Sequence, residues 1–200
     1  MGPLLDFDTP DFVLRSLVRG DESESWGAWL ANPAAAAMVN AVPRTRTLAE
    51  LRTYIDAFDR INRHLFGIFD KTTGRLIGIR TVEIDRSRRA FAVHMMVGAR
   101  TDWGRGSMNQ TTQVLNDWAY ETCDLLWSEA SLLAINRKMV RYLCSSGWSF
   151  VRKDLARGAM DGRLIELVAL HRHRDVWRLD PRSCAMSGQP APTGLKRGSA

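Results

Sequence analysis

The fold is decided by residues 90–120, AFAVHMMVGARTDWGRGSMNQTTQVLNDWAY. Apart from His94, the residues at 90–97 are apolar, which predicts a strand. Gly104 and Gly106 follow, and the apolar residues after them recur at helical spacing. Backbone N–H groups that glycines expose at the start of a helix bind phosphate oxygens, and the helix dipole favours an anion there. The segment therefore predicts a strand, an anion-binding loop and a helix, although a plain glycine turn before a helix would give the same pattern.

Before this segment the sequence predicts a strand, two helices and two more strands. The first helix is opened by Asp21 with Glu24, and the second by the clearer capping box of Thr47 with Glu50. The connection between the two helices contains two prolines. The predicted elements are a strand at 12–18, a helix carrying Trp26, Trp29 and Leu30 on one face, a helix carrying Leu51, Tyr54, Ile55 and Phe58, and strands at 65–69 and 76–84 joined by a hairpin loop ending in Gly74.

After the segment the sequence predicts a buried strand at 125–134, a helix at 137–146 that ends at Gly147, and an antiparallel pair at 148–153 and 164–170. The order is strand, two helices, three strands, helix, strand, helix and two strands. Such an order is typical of an α+β protein built around a mixed sheet.

Composition favours one globular domain. The chain has 200 residues, of which 45% are hydrophobic and 25% charged. Residues 181–200 are rich in Pro, Gly and Ser and contain Arg182, Lys196 and Arg197 without an acid, so three of the six formal positive charges lie there. We expect a folded domain over residues 1–180 and a disordered tail over 181–200. The charge left on the domain favours an anionic partner only weakly.

Other features bear on compartment and partners. Asp6 and Asp8 occupy positions at which a secretory signal needs basic residues. The sequence contains no run of about twenty apolar residues, which is the length that a membrane-spanning helix needs. Three widely spaced cysteines indicate neither a disulfide framework nor a zinc site and suit the cytoplasm. His171 and His173 lack matching further ligands, so no metal is expected. Basic residues are not clustered among exposed aromatics, so nucleic acid is not an expected partner.

Five short motifs occur in a characteristic order. The glycine loop, WGRGSM at 103–108, and the segment LAINRKMVRYLCSSGW at 133–148 are the more informative two; the others are FVLRSL at 12–17, FGIFDKTTGRLIG at 66–78 and DGR at 161–163. Together they resemble the GNAT N-acetyltransferase family over residues 12–177, closest to the branch of ribosomal-protein amino-terminal acetyltransferases. The resemblance implies a mixed, mainly antiparallel sheet flanked by helices.

The resemblance also implies the cofactor site. In the family a Q/R-x-x-G-x-G/A loop binds the pyrophosphate of acetyl-CoA, and Gly106 matches its required glycine. Arg100 and Arg105 would add positive charge, whereas Met108 stands where the family has a small residue. Asn136 fits the family's asparagine that contacts the cofactor arm. The implied cofactor-binding residues are Met95, Met96, Val97, Trp103, Gly104, Arg105, Gly106, Ser107, Met108 and Asn136.

Acetyl transfer to an amine needs a base, because a free lysine amine has a pKa of about 10.4. Many members of the family carry a glutamate on the fourth strand, where this sequence has Ala92. His94 lies on the same strand face, and imidazole titrates where a base is useful. A packed core histidine is an equal alternative for His94. Glu83 is the second catalytic candidate, and Glu129 is held in reserve.

The departing thiolate needs a proton or a hydrogen bond, which many members supply with a tyrosine. Leu143 occupies that position here, and Tyr142 lies about 100° away around the helix. Sequence reasoning therefore sets Tyr142 aside and relies on substrate positioning and on backbone N–H groups near Met95 to Val97 that polarise the thioester carbonyl.

The sequence thus predicts a cytoplasmic, acetyl-CoA-dependent N-acetyltransferase that transfers the acetyl group directly to a primary amine, without a metal. The acceptor stays open between a small molecule and a protein amino terminus. Trp26 and Trp29 either line its pocket or belong to the core. A GNAT-like module that binds acyl-CoA without catalysis is the alternative function. Dimerisation is common in the family, so a homodimer also stays open.

Overall fold

The computed structural model describes residues 1–159 and 161–179. The predicted disordered tail lies outside these residues. The helices and strands are, in chain order, β1 (Asp6–Asp8), β2 (Phe12–Ser16), α1 (Glu24–Ala28), α2 (Pro33–Met38), α3 (Leu48–Asp56), β3 (Arg63–Asp70), β4 (Leu76–Asp85), β5 (Ala90–Val97), α4 (Ser107–Asp117), β6 (Trp127–Leu133), α5 (Arg137–Ser145), β7 (Ser149–Arg157), β8 (Leu164–His173) and α6 (Arg174–Arg178).

Within the described residues, eight strands form one sheet in the order β1-β2-β3-β4-β5-β6-β8-β7. Every recorded neighbour pair is antiparallel except β5 with β6, which run parallel. Helix α4 connects these two strands, as a crossover between parallel strands requires. The mixed, mainly antiparallel sheet flanked by helices is thus confirmed.

Each face of the sheet has its own apolar cluster. On one face Phe66, Val82 and Phe91 pack with Leu115 of α4 and Tyr120 of the π-helical turn that follows it. The opposite face is covered by α1, the 3₁₀ turn after it and α3, through Trp26, Trp29, Leu51 and Ile55. Helix α5 packs on β8 through a third cluster around Trp148. The helices on the two faces therefore define two different environments beside β5.

Several predicted boundaries need correction. The Asp21 and Glu24 capping box is wrong: Ser23 caps α1 by accepting from Trp26 N–H, while Asp21 is held by Arg15 and by the N–H of Val18. Pro33 does not merely interrupt a connection, since it is the first residue of α2, where a missing N–H costs nothing. The capping box of Thr47 with Glu50 is confirmed.

Three elements escaped the sequence analysis: strand β1, helix α2 and helix α6. Each spans three to six residues, which is too short for a periodic pattern. Across the described part of the chain, no helix is long and apolar enough to span a membrane.

Candidate active site

Strands β5 and β6 begin side by side and then part. Their pairing covers Ala90 with Trp127, Phe91 with Ser128 and Ala92 with Glu129, and it ends there, although β5 continues to Val97. On its other edge β5 stays paired with β4 as far as Val97. The parting therefore opens a wedge beside the second half of β5.

The hydrogen bonds of β5 show which backbone groups face this wedge. Gly98 N–H donates to Ile77 on the β4 side, and the carbonyl of Arg89 accepts from Trp127 on the β6 side. Because backbone groups alternate along a strand, those of Val93, Met95 and Val97 point towards β6. Met95 and Val97 thus lie where sequence reasoning expected polarising groups. Met96 does not, since its backbone belongs to the β4 ladder.

The glycine loop reaches α4 through two residues with positive φ. Gly104 has φ 75° and Gly106 has φ 84°, a region that L side chains rarely adopt. Gly106 is the N-cap of α4, and Gln110 N–H donates to its carbonyl. The N–H groups of residues 106–109, just before Gln110, are the four that a helix leaves without a partner inside the helix. The loop therefore has the form of an anion-binding cradle.

Arg105 does not add charge to this cradle, which corrects the expectation for its side chain. Its guanidinium forms ion pairs with Asp70, which is 1% exposed, and with Asp102 at 3.3 Å. Backbone and side-chain hydrogen bonds from Thr73, together with Arg105, lower the pKa of Asp70 below its usual value. Arg105 thus ties the loop to the β3–β4 hairpin, and its positive charge is balanced by two carboxylates.

Two further side chains hold the loop and α4 in place. Trp103 donates its indole N–H to the carbonyl of Val97 at 3.1 Å, although half of its surface is exposed. Gln110 accepts from Thr9 and from the N–H of Asp11 and donates to the Asp11 carboxylate. The loop is therefore fixed to β5 at one end and to the β1–β2 turn at the other.

A buried arginine lies beneath the first turns of α4. Arg80 is 3% exposed and donates to the carbonyl of Met108 and to the hydroxyl of Thr112, at 2.8 and 2.7 Å. Its Nε atom has no partner within the described part of the chain, and burial lowers the pKa of Arg80 to about 9. The sequence analysis missed Arg80, although a charged residue among the buried residues of a strand was a signal.

On the far side of the wedge, Asn136 follows β6 and caps α5 by accepting from Met139 N–H at 3.3 Å. Further along α5, the hydroxyl of Tyr142 donates to the side-chain oxygen of Asn109, which lies in the first turn of α4. Leu143 instead packs in the cluster around Trp148. Tyr142, which sequence reasoning set aside, is therefore the α5 residue that reaches α4.

The face of β5 opposite α4 forms the floor of a cleft of about 420 Å³. Its aromatic walls come from α1, from the 3₁₀ turn after it and from α3. Ring centroids are 6.3 Å apart for Trp26 and Trp29, and 6.4 Å apart for Trp26 and Tyr54. Both tryptophans are buried and also line the cleft, so the two expectations for them are compatible.

Both predicted catalytic residues line this cleft. His94 is exposed on β5, next to Met95, whose backbone faces the wedge. His94 is therefore not a packed core histidine. Glu83 lies on β4 opposite Ala92, two residue pairs along from the His94–Thr81 pair, and its carboxylate is 3.8 Å from Arg63. The reserve candidate Glu129 is paired with Arg88 and lies outside the cleft.

This geometry joins an anion cradle, a wedge and a separate cleft along one strand. A family model described as an acetyltransferase (GNAT) domain matches residues 11–149. The chain belongs to the GNAT acetyltransferase family. Its class of activity is accordingly acyl transfer.

Solved structures of acetyltransferases have the same fold. Spermidine N-acetyltransferase from Vibrio cholerae, in complex with CoA and spermine, superposes with a TM-score of 0.70 at 18% identity over 82% of this chain and 96% of that one. Ribosomal-protein-S5-alanine acetyltransferase from Vibrio fischeri gives 0.71 at 16% identity over 86% and 97%. A comparison with the sequences of curated proteins found no significant match. At these identities the likeness concerns the fold, so acceptor chemistry must come from the side chains of this GNAT acetyltransferase.

Proposed function

We propose that this GNAT acetyltransferase uses acetyl-CoA and moves the acetyl group directly to a primary amine, on a small molecule or a protein amino terminus, without a metal. The observation that carries the proposal is the double role of β5. Its backbone at Met95 faces the wedge, while His94 projects into the aromatic cleft on the other side of the same strand. A donor in the wedge and an acceptor in the cleft would meet at this point.

The residues present fit acetyl-CoA. A Cβ atom added at Gly106 would meet only the Gln110 side chain, at 3.7 Å, so the cradle has open space. The N–H groups from Gly104 to Met108 would hold the pyrophosphate, while Trp103 positions the loop and Asn136 flanks the wedge. Bound acetyl-CoA supplies an activated thioester. Met95 N–H is oriented to donate to an acyl oxygen, the type of contact that stabilises developing negative charge.

His94 is proposed as the base, with Glu83 next to it as an acceptor for the second N–H of the amine. The transfer forms an amide C–N bond and breaks the thioester C–S bond, whose electron pair stays on sulfur. An ammonium acceptor gives up two protons in all; one reaches the sulfur and the other passes through His94 to solvent. Tyr142, at the junction of α4 and α5, is a nearby hydroxyl that could serve the sulfur.

Calorimetric titration with acetyl-CoA tests the donor site. Replacing Gly106 by Asp places a carboxylate in the cradle, and we expect binding to be lost. The matched control is Gly74→Asp, because Gly74 also has positive φ, at 66°, and open surroundings in the β3–β4 loop. That variant experiences the same kind of backbone strain and should bind like the wild type. Absence of binding by the wild type would refute the proposal.

A thiol-release assay with an amine panel separates catalysis from binding alone. Turnover is the expected result. Tight binding of acetyl-CoA with no thiol release from any primary amine would favour the alternative, a GNAT-like module that binds acyl-CoA without catalysis. The replacement of the family's glutamate by Ala92 and of its small loop residue by Met108 is what keeps that alternative in view.

We further propose a cytoplasmic location, with which the free thiols of Cys123 and Cys144 are compatible. The division into an acyltransferase domain at 1–180 and an appended tail also stays a proposal. A homodimer remains a prediction of the family resemblance, which sedimentation velocity would check.

A further inference from the structure

The charges that line the acceptor cleft are unusual for a site that binds a polycation. Arg46 and Arg63 line it together with a single carboxylate, Glu83. Among the described lining residues, two arginines against one glutamate leave an excess of one positive charge before His94 is counted. Tyr54 also lines the cleft, and burial raises the pKa of its phenol, which favours the neutral form. A substrate with several ammonium groups would meet repulsion here.

The two arginines differ in their partners. Arg63 is engaged: it faces Glu83 at 3.8 Å, donates to the carbonyl of Ala57 and lies over the Phe58 ring at 5.0 Å. Arg46 is half-buried, and in the described part of the chain its guanidinium has neither an ion pair nor a hydrogen bond. Its backbone N–H donates to Gly27 of α1, which fixes the residue at the rim of the cleft. Arg46 is therefore the cation that is available to a ligand.

The remaining wall of the cleft is aromatic. Trp26, Trp29 and Tyr54 form a chain of rings with centroids about 6 Å apart, and Met96 continues the apolar surface onto β5. A cleft of about 420 Å³ lies in the lower part of the range, about 300–1,000 Å³, in which proteins enclose small ligands. The size and lining suit a compact apolar group beside one anion.

We infer that the acceptor is a free α-amino acid with an aromatic or large aliphatic side chain; this inference rests on the proposed function. Its carboxylate binds Arg46, its side chain packs against Trp26, Trp29 and Tyr54, and its α-amine lies between Glu83 and His94. An arginine recognises a carboxylate through two parallel N–H donors, which fixes the orientation of the amine as well as adding affinity. A peptide amino terminus has no carboxylate next to its amine, and a polyamine has none at all.

The test compares substrates that differ by one group. With acetyl-CoA saturating, kcat/KM from thiol release is measured for phenylalanine, for phenethylamine, which lacks only the carboxylate, for a dipeptide that begins with phenylalanine, and for spermidine. We expect phenylalanine to exceed phenethylamine by about 10-fold to 100-fold, the usual contribution of a hydrogen bond to a charged group. In Arg46→Gln the ratio of the two kcat/KM values should fall towards one, because the group that distinguishes phenylalanine from phenethylamine has lost its partner. The control Arg163→Gln removes an arginine outside the cleft and should keep the advantage.

Two results would overturn the inference while leaving the proposed function intact: spermidine or the dipeptide as the best acceptor, or a phenylalanine advantage that survives Arg46→Gln. A second measurement does not depend on turnover. Titration with phenylalanine, followed by tryptophan fluorescence, should show saturable binding in the wild type and about 10-fold or more weaker binding in Arg46→Gln. If acetyl-CoA fails to bind, the proposed function is refuted, but this titration still decides the amino-acid site. Equal binding by both proteins, or none by the wild type, refutes that site.

Discussion

Arg80 on β4 is only 3% exposed, and among the described residues its guanidinium has no carboxylate partner. Burial lowers its pKa to about 9, so it is still charged at neutral pH and folding carries the cost of its desolvation. The carbonyl of Met108 is also an acceptor within α4. Replacement by methionine therefore leaves few buried groups without a partner.

We expect Arg80→Met to raise the free energy of unfolding by about 1–3 kcal/mol, because apolar replacement of buried charges is often stabilising. Urea denaturation at pH 7 measures this change. Since the native pKa of Arg80 lies below that of the unfolded chain, wild-type stability should also rise as the pH increases above about 9, and the variant should lose that rise. A loss of more than about 2 kcal/mol on substitution would mean that the bonds to α4 outweigh the desolvation cost.

His94 is the residue on which the proposed chemistry depends. Removal of a general base typically lowers the rate by about 10²–10⁴-fold. We expect His94→Ala to reduce kcat within that range while the Kd of acetyl-CoA, measured by calorimetry, is unchanged. His171→Ala is the control, because His171 lies in β8, outside the cleft, where its ring stacks on that of Trp127 in β6. Full activity in His94→Ala together with inactivity in Glu83→Gln would transfer the role of base to Glu83.

Sequence reasoning identified His94 and Glu83, and the structure brings both into one cleft. It did not identify Arg46, because a partnerless arginine in a connection looks like any surface arginine until α1 packs against its backbone. The roles of Tyr142 and Arg105 also depended on tertiary contacts. Helical spacing alone could not show that α5 meets α4, nor that Arg105 is paired with Asp70.

At the scale of elements, the junction between the end of β5 and the turn after α1 is packed without spare volume. A Cβ atom added at Gly98 would lie 2.1 Å from the Trp29 ring, which is 8% exposed and packed against Trp26. Gly98 has no positive φ, so the obstacle is steric and not conformational. Helix α1 and the wall of the cleft therefore depend on a glycine at this position.

Overpacking of this kind costs about 1–3 kcal/mol. We expect Gly98→Ala to lower the free energy of unfolding by that amount in urea denaturation. Pairing it with Trp29→Phe, which provides room, should make the double variant more stable than the sum of the single changes predicts. Strict additivity would show that the Trp29 ring moves aside at no cost.

The long elements were predictable because periodicity and capping agree in them: the strand at 90–97 and the capping box of α3 were located to the residue. Short elements were not predictable. The cap of α1 was misplaced because Asp21, Ser23 and Glu24 all suit a helix start, and only the ion pair with Arg15 decides among them. Strand β1 forms because β2 offers a free edge, which no local signal reports.

For the whole molecule, the wedge between β5 and β6 follows from topology. The crossover through α4 makes this pair parallel, and the pairing ends at Ala92 with Glu129. The sequence analysis did not predict that parting, since no residue type by itself indicates where two strands separate. The cleft on one face and the cradle at the wedge are thus properties of the entire sheet.

Acid sensitivity is also a property of the whole molecule. Three carboxyl groups from different parts of the chain have pKa values lowered to about 2: Glu22 by Arg52, Glu50 by the N–H of Thr47, and Asp59 by the N–H groups of Arg63, Ile61 and Asn62. A carboxylate whose pKa is lower in the native state than in the unfolded chain stabilises the fold at pH values above its unfolded-state pKa. This contribution is lost as the pH falls through the native-state pKa. Burial lowers the pKa of His64, so the unfolded chain takes up a proton there first, which acts in the same direction.

We therefore expect the urea concentration at the midpoint of unfolding to decrease as the pH is lowered. The decrease should be slight below pH 6.5, where His64 becomes protonated in the unfolded chain, and steep from about pH 4.5 towards pH 2. Asp59→Asn keeps an oxygen that can accept from the turn before β3 but removes the titrating group. This variant should be less stable than the wild type at pH 7, and its midpoint should fall less on acidification. Glu50→Gln should likewise reduce the fall of the midpoint on acidification. The double variant should reduce this fall further, because the two sites do not share a partner. Midpoint curves that run parallel to that of the wild type would show that these carboxylates do not control the acid response.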